Sequence, residues 1–382
     1  MAEAYIVAAV RSPVGKNRGS LSGVHPADLG AHVLRGLVDR SGIDPAAVDD
    51  VIFGCVDSIG AQAFNIARIA WLSAGLPESV PATTIDRQCG SSQQALHFAA
   101  QAVQAGAQDV VVAGGVEVMS LVPIGSTALV GAKAGYGEPM AGDGWRGRYR
   151  DKEFDQFNGA ELIAARWDIS REEMEGFALT SHLRAAAAAQ AGAFSEEILP
   201  YGDMVADEGP RPSTTLEKMA TLGVLRPGGR LTAALASQIS DGAAALLVAS
   251  ERAAAVHGLT PLARVHAMAV AGSDPELMLT GPIPATEKVL KRAALTLDEI
   301  DAIEINEAFA SVVLAWQRET GADLEKVNPL GGAIALGHPL GATGARLMTT
   351  LIHHLKMTGK RYGLQVMCEG GGMANATVVE RL

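Results

Sequence analysis

Ala82-Thr-Thr-Ile-Asp-Arg-Gln-Cys-Gly-Ser-Ser-Gln-Gln-Ala-Leu-His-Phe-Ala-Ala-Gln-Ala-Val-Gln-Ala105 passes from a short β-prone run through a polar turn into an Ala-rich amphipathic stretch. A strand is expected over residues 82–86, a tight turn over 88–91 and a helix over 92–105. The same alternation extends in both directions. Tyr5 to Val10 reads as a buried strand, followed by a Gly/Ser/Pro-rich turn over 12–23. Asp28 is placed to cap a helix carrying Leu29, Val33, Leu34, Leu37 and Val38 in phase. A strand over 51–56, a helix over 65–74 and a strand over 110–113 ending at Gly114-Gly115 complete the series. Strands alternating with helices indicate an α/β fold whose sheet is covered on both faces.

The C-terminal third repeats this order. Strands are expected over 262–269, 300–305 and 364–367, and helices over 285–294 and 308–318, with a Gly-rich turn over 331–344 leading into a helix that ends at 355. Asp49-Asp-Val-Ile-Phe-Gly54 parallels Asp298-Glu-Ile-Asp-Ala-Ile-Glu-Ile305, and the strand before Gly114 parallels the strand before Cys368. A duplicated five-strand unit follows. Between the halves the composition changes: residues 135–147 are Gly-rich, 146–155 are charge-dense, and a helix pair over 160–191 carries Ser170 and Glu173 at capping-box spacing. The expected organisation is an N-terminal half from 1–117 plus 241–255, an inserted loop domain over 118–240, and a C-terminal half over 256–382.

Hydrophobic residues make up 48% and charged residues 19% of the 382, which excludes disorder of the chain as a whole. The net charge of -11, with scattered basic residues, lacks the footprint of a nucleic-acid binder. No apolar stretch reaches the length of a membrane span, and the N-terminal run is too short for a signal peptide. Cys55, Cys89 and Cys368 show no CxxC spacing, so neither a disulfide framework nor a thiolate metal site is indicated, and reduced thiols in a cytoplasmic protein are expected.

Cys89 stands out because its turn opens a helix, whose free N–H groups favour a thiolate. Lowering a thiol from ~8.5 to about 7 takes ~2 kcal/mol, more than the ~0.3 to 1 a helix terminus supplies. A histidine must provide the rest. His338 lies in Gly331-Gly-Ala-Ile-Ala-Leu-Gly-His-Pro-Leu-Gly-Ala-Thr-Gly344, the counterpart in the second half of the Cys89 turn, and both are expected at carboxyl ends of strands facing one cleft. Cys368 ends at the same sheet edge beside Gly370-Gly371-Gly372, whose N–H groups suit an oxyanion. In isolation a buried strand-end thiol accounts for it equally well, as it does for Cys55. Asn306 also begins at a strand end, where a helix cap is an equally good reading.

With these residues in place, the chain resembles the thiolase superfamily. The resemblance rests on Val10-Arg-Ser-Pro-Val-Gly-Lys16, the Cys89 turn, Ser237-Gln-Ile-Ser-Asp-Gly-Ala-Ala244, Asn306-Glu-Ala-Phe-Ala310, the Gly337-His-Pro loop and Cys368-Glu-Gly-Gly-Gly372. It implies an α/β fold with a duplicated five-layered α-β-α-β-α core and an inserted loop domain. It also implies that Cys89 takes the acyl group, that His338 activates it, that Asn306 positions a water at an oxyanion site, and that Cys368 is the acid/base. The N–H groups of Cys89 and Gly370 would form a second oxyanion site. The substrates implied are a 3-oxoacyl-CoA and coenzyme A, with no permanently bound cofactor or metal and a homodimer or homotetramer as the assembly. By the same resemblance Arg211 and Ser237 align with coenzyme A contacts, while Lys218 falls where a serine is common and suits solvated surface equally well. Gln156-Phe157 and Met278-Leu279 both stand where Met-Gly is usual, a pattern similar to actinobacterial thiolases of steroid and bulky-acyl breakdown.

Three rival readings are weaker. A ketoacyl-synthase-type condensing enzyme needs no second acid thiol. A nonenzymatic acyl-CoA-binding subunit does not need Cys89, His338 and Cys368 together. A nucleotide-binding dehydrogenase lacks a GxGxxG after a strand.

Overall fold

The computed structural model describes residues 3–150 and 152–382. The first half contains β1 (Ala4–Arg11), β2 (Gly15–Lys16), α1 (Pro26–Ser41), β3 (Asp50–Gly54), α2 (Ile66–Ser73), β4 (Ala82–Ile85), α3 (Ser91–Gln104) and β5 (Val110–Val118). Five helices then intervene: α4 (Ser126–Lys133), α5 (Asp143–Tyr149), α6 (Gln156–Arg166), α7 (Arg171–Gln190) and α8 (Leu216–Ala220). After them come β6 (Ser240–Ser250) and α9 (Glu251–His257), and the second half follows with β7 (Ala263–Gly272), α10 (Pro282–Ala293), β8 (Ala302–Ile305), α11 (Ala310–Thr320), α12 (Ala333–Leu336), α13 (Leu340–Thr358), β9 (Tyr362–Glu369) and β10 (Met373–Arg381). Among the described residues no helix is long and apolar enough to cross a membrane.

The strands run in the order β4-β3-β5-β6-β1-β7-β10-β9-β8. β4, β3 and β5 are parallel, as are β8 and β9, whereas β6, β1, β7 and β10 join their neighbours antiparallel. The order mirrors itself about the β1–β7 seam, where among the described residues only Tyr5↔Arg264 and Ile6↔Ala263 pair. The internal duplication is therefore visible in the topology. The fifth strand of the second half is reduced to a single parallel bridge between Ile303 and Val327.

Five layers follow from the buried clusters. Leu29, Val33 and Leu37 of α1 and Ile66 and Trp71 of α2 pack one outer face against Val51, Phe53 and Val112. Leu96 and Val103 of α3, with Met348 and Leu351 of α13, fill the space between strands of both halves. On the other outer face, Val289 of α10 and Trp316 of α11 cover Ile303 and Val366. The segment between α7 and α8 is tied to the core by a buried ion cluster, in which Arg11 meets Glu197 at 2.6 Å and Asp207 at 2.7 Å. The capping box at the start of α7 forms as expected from Ser170 and Glu173.

Several expectations need correction. His25, not Asp28, caps α1, its Nδ1 accepting from the Ala27 N–H while Pro26 occupies the first turn. β5 does not stop at Gly114-Gly115 but runs on to Val118. The stretch 331–344 is mostly helical, with His338 and Pro339 forming the link between α12 and α13. β10 was not expected at all. It is buried over most of its length although it carries Asn375 and Thr377, whose side chains meet Gln94, Gln93 and His97 of α3.

Candidate active site

Carboxyl ends of strands from both halves deliver the site. Cys89 lies in the turn from β4 to α3, just ahead of the N-cap Gly90. Gln88 before it takes a left-handed φ of 48°, held by its N–H donating to Asp86 Oδ1 at 2.6 Å. Asn306 follows β8, Cys368 is the penultimate residue of β9, and His338 lies between α12 and α13.

Close approach of main chains brings α13 here. A Cβ on Gly115 would sit 2.0 Å from the Gly341 carbonyl oxygen, so the side-chain-free stretch of β5 is what admits the start of α13. The buried carboxylate of Glu117 then accepts from the N–H groups of Gly341 at 2.9 Å and Val56 at 2.8 Å, and from Gln62 Nε2 at 2.7 Å.

Asn306 lies beside His338 and Cys368. Its Nδ2 lies 3.4 Å from His338 Nε2 and 3.6 Å from Cys368 Sγ, and its Oδ1 is buried without a partner. The N–H groups of Cys89 and Gly370 point at the Cys89 sulfur, and Cys368 is close enough to act on it electrostatically. His338 Nδ1 lies 2.6 Å from Thr343 Oγ1, whose hydroxyl donates to the Pro339 carbonyl at 2.8 Å. That hydroxyl proton is committed, so Nδ1 carries the imidazole proton and Nε2 is left as the basic nitrogen.

Electrostatics differ from the sequence expectation of a preformed thiolate. The residue Cys89 is half-buried but its thiol is enclosed: burial pushes it well above the ordinary range, Cys368 and Glu369 add to this, and the two N–H groups only partly oppose it. Burial also pushes Cys368 up to about 12, with Asn306 opposing. His338 is lowered to about 3, first by burial and then by the charge of Arg346. Desolvation outweighs the helix terminus, so the resting site holds neutral thiols beside a neutral imidazole. Cys55 is a buried thiol against Glu117, raised by burial and by that carboxylate.

The remaining predicted residues fall into two groups. Arg211 and Lys218 line a cavity of about 460 Å³ with His182, Gln238 and Ile334. Ser237 lies between two lining residues, Ala236 and Gln238, and its N–H donates to the Ala308 carbonyl at 2.9 Å. Met278 and Leu279 are buried in the apolar cluster that contains Cys368, with Phe157 packed at its edge. Phe157 meets Phe309 edge-on, with ring centroids 5.3 Å apart. Sequence reasoning missed Thr343, Phe309 and Glu369. Thr343 had a usable signal, a hydroxyl five residues after the histidine of a glycine-rich loop.

Comparison with known proteins agrees with this geometry. Residues 4–252 match the model of the thiolase N-terminal domain and residues 259–381 that of the thiolase C-terminal domain. A steroid 3-ketoacyl-CoA thiolase of Mycobacterium tuberculosis is 60% identical, over 100% of this chain and 95% of that protein. A beta-ketoadipyl-CoA thiolase of Pseudomonas aeruginosa is 45% identical, over 100% of this chain and 99% of that protein. The crystal structure of the acetyl-CoA acetyltransferase of Bacillus anthracis superposes with a TM-score of 0.91 at 40% identity, covering 100% of this chain and 99% of that one. Full-length family matches, the mirrored topology and the meeting of Cys89, Asn306, His338 and Cys368 have one common reading: the chain belongs to the thiolase family.

Proposed function

We propose that this acyltransferase cleaves a 3-oxoacyl-CoA with coenzyme A, giving acetyl-CoA and a shortened acyl-CoA, through an acyl-Cys89 intermediate. The observation that carries the reading is the placement of the Cys368 thiol and the neutral His338 imidazole around a single amide, that of Asn306, with the Cys89 thiol near enough to Cys368 to act on it electrostatically. His338 Nε2 takes the Cys89 proton as the sulfur attacks the 3-keto carbon, whose oxygen is held by the N–H groups of Cys89 and Gly370. The C2–C3 bond then breaks and its electron pair moves to C2. The resulting thioester enolate is stabilised at its oxygen by protonated His338 and by Asn306, directly or through a water. Cys368 protonates C2, releasing acetyl-CoA. The Cys368 thiolate next takes the proton of incoming coenzyme A, whose sulfur attacks the acyl-Cys89 thioester, and His338 returns its proton to Cys89. The second transfer exchanges one thioester for another, so little free energy is lost in it.

Coenzyme A is assigned to the cavity lined by Arg211 and Lys218, beside Ser237, on a loop domain over 118–240 inserted between the two halves. The acyl group is assigned to the apolar cluster next to Cys368, formed by Phe157, Met278, Leu279 and Phe309. A branched or ring-bearing acyl group, as in steroid breakdown, fits this lining and the name of the 60% identical relative. The protein is taken to act in the cytoplasm as a homodimer or homotetramer. A panel of 3-oxoacyl-CoA thioesters tests the substrate: kcat/KM is expected to be higher for a medium-chain or ring-bearing thioester than for acetoacetyl-CoA, and the reverse order sinks that assignment. Mass spectrometry after exposure to a 3-oxoacyl-CoA without free coenzyme A is expected to find the acyl group on Cys89, and acyl transfer to Cys55 or Cys368 in its place overturns the mechanism.

A further inference from the structure

Glu369 directly follows Cys368 at the end of β9 and takes no part in the cycle above. Its side chain is fully buried, and neither carboxyl oxygen has a hydrogen-bond partner. It lies against the nucleophile turn: a Cβ on Gly90 would fall 1.9 Å from Glu369 Oε1, so the glycine at 90 is what lets this carboxyl reach the main chain beside Cys89. The groups that face it are Asp86, Arg87 and Cys89 on the β4–α3 turn and Cys368 on its own strand. Arg87 draws it electrostatically without a hydrogen bond, and Arg87 Nε is itself buried and unpartnered. A carboxylate buried with no donor is far less stable than the protonated acid, so Glu369 rests as a neutral group.

We propose that Glu369 is a positioning residue for the two thiols: as a neutral carboxyl it packs against the Cys89–Gly90 turn, and its ionisation suppresses formation of the Cys89 thiolate. The inference rests on Cys89 being the nucleophile. Burial pushes Glu369 up to about 8, against the pull of Arg87, and its negative charge raises both Cys89 and Cys368. The neutral acid is thus the working form near neutral pH, and a proton lost at mild alkalinity places a charge where the thiolate must develop.

The test is the rate of Cys89 alkylation by iodoacetamide between pH 6.5 and 9.5, read peptide by peptide by mass spectrometry. In the wild type the logarithm of the rate is expected to rise with pH, bend below unit slope near pH 8, and recover unit slope above it. In Glu369→Gln the slope should stay constant, so that the ratio of variant to wild-type rates grows about 5- to 10-fold across the range, as expected for a coupling of roughly one pKa unit between neighbouring groups. Arg87→Gln removes the facing cation and should move the wild-type bend to higher pH, which decides the matter if Glu369→Gln does not fold. A wild-type profile without a bend, or the same bend in Glu369→Gln, overturns the proposal. Alkylation confined to Cys55 or Cys368 overturns instead the assignment of Cys89 on which it rests.

Discussion

At the level of single residues, the site depends on proton placement more than on charge. Thr343 fixes which imidazole nitrogen of His338 is basic, because its hydroxyl proton is committed to the Pro339 carbonyl. Thr343→Val keeps the shape and removes the acceptor, so kcat is expected to fall at least ~10-fold, in line with the contribution of general base catalysis, with KM little changed. Thr343→Ser should restore most of it, and steady-state kinetics of the three enzymes separates this from a packing defect. Cys368→Ala should slow carbon-carbon cleavage at least ~10²-fold and acyl exchange between a simple acyl-CoA and coenzyme A by less, since the exchange needs Cys368 only to move the coenzyme A thiol proton and forms no carbanion. Cys89→Ala should abolish both reactions. The candidates Cys89, His338 and Cys368 were legible in the sequence from their motifs, although His338 comes from the link between α12 and α13 and not from a strand end. Their protonation was not, because the helix terminus before α3 is a local feature, whereas the burial that overrides it comes from distant segments packing together.

At the level of elements, glycine placement decides how closely the two halves meet. Gly115→Ala would drive a methyl into the Gly341 carbonyl, where neither main chain can yield without moving the start of α13 and His338 with it. A loss of about 1 to 3 kcal/mol or more is expected, accompanied by a fall in kcat. The control is Gly131→Ala in α4, where nothing lies within 4 Å of the added methyl and helix propensity predicts a gain of up to ~1 kcal/mol. Thermal melts and kcat for both variants check this. The glycines also explain a misread boundary. In sequence Gly114-Gly115 looks like the end of a strand, and only the approach of α13, more than two hundred residues later, shows why β5 continues without side chains there. β10 escaped notice for a related reason: Asn375 and Thr377 look like surface residues until Gln93, Gln94 and His97 of α3 supply their partners.

For the whole molecule, buried titratable groups set opposing pH trends. His97 and His338 are both lowered to about 3, chiefly by burial. Their unfolded forms take up protons near 6.5, so the stability they permit is complete above that pH and is lost as pH falls toward 3. Glu304 and Glu369 are raised to about 8, again chiefly by burial. Their unfolded forms lose protons near 4.5, so the folded state loses ground as pH rises from there toward 8. Each group contributes a slope of up to ~1.4 kcal/mol per pH unit. The two trends oppose each other between about pH 4.5 and 6.5, so thermal midpoints are expected to vary least there and to decline on either side. Glu304→Gln or Glu369→Gln should flatten the alkaline decline, and melts recorded from pH 4 to 8.5 in matched ionic strength test it.

The seam at β1 and β7 bears on gene order. Arg381 pairs with Ala263, and Ala263 pairs with Ile6, so the first and last strands lie two sheet spacings apart, about 10 Å. A linker of roughly five residues spans that gap. Residues 258–262 between α9 and β7 lie outside any helix or strand and offer a place to cut. A circularly permuted chain that begins in the second half and ends in the first therefore asks nothing new of the sheet. Translated in reversed order, the two halves should dock through the same β1–β7 seam and the same layer of α3 and α13, which makes their succession along the polypeptide a historical accident and their adjacency in space the physical requirement.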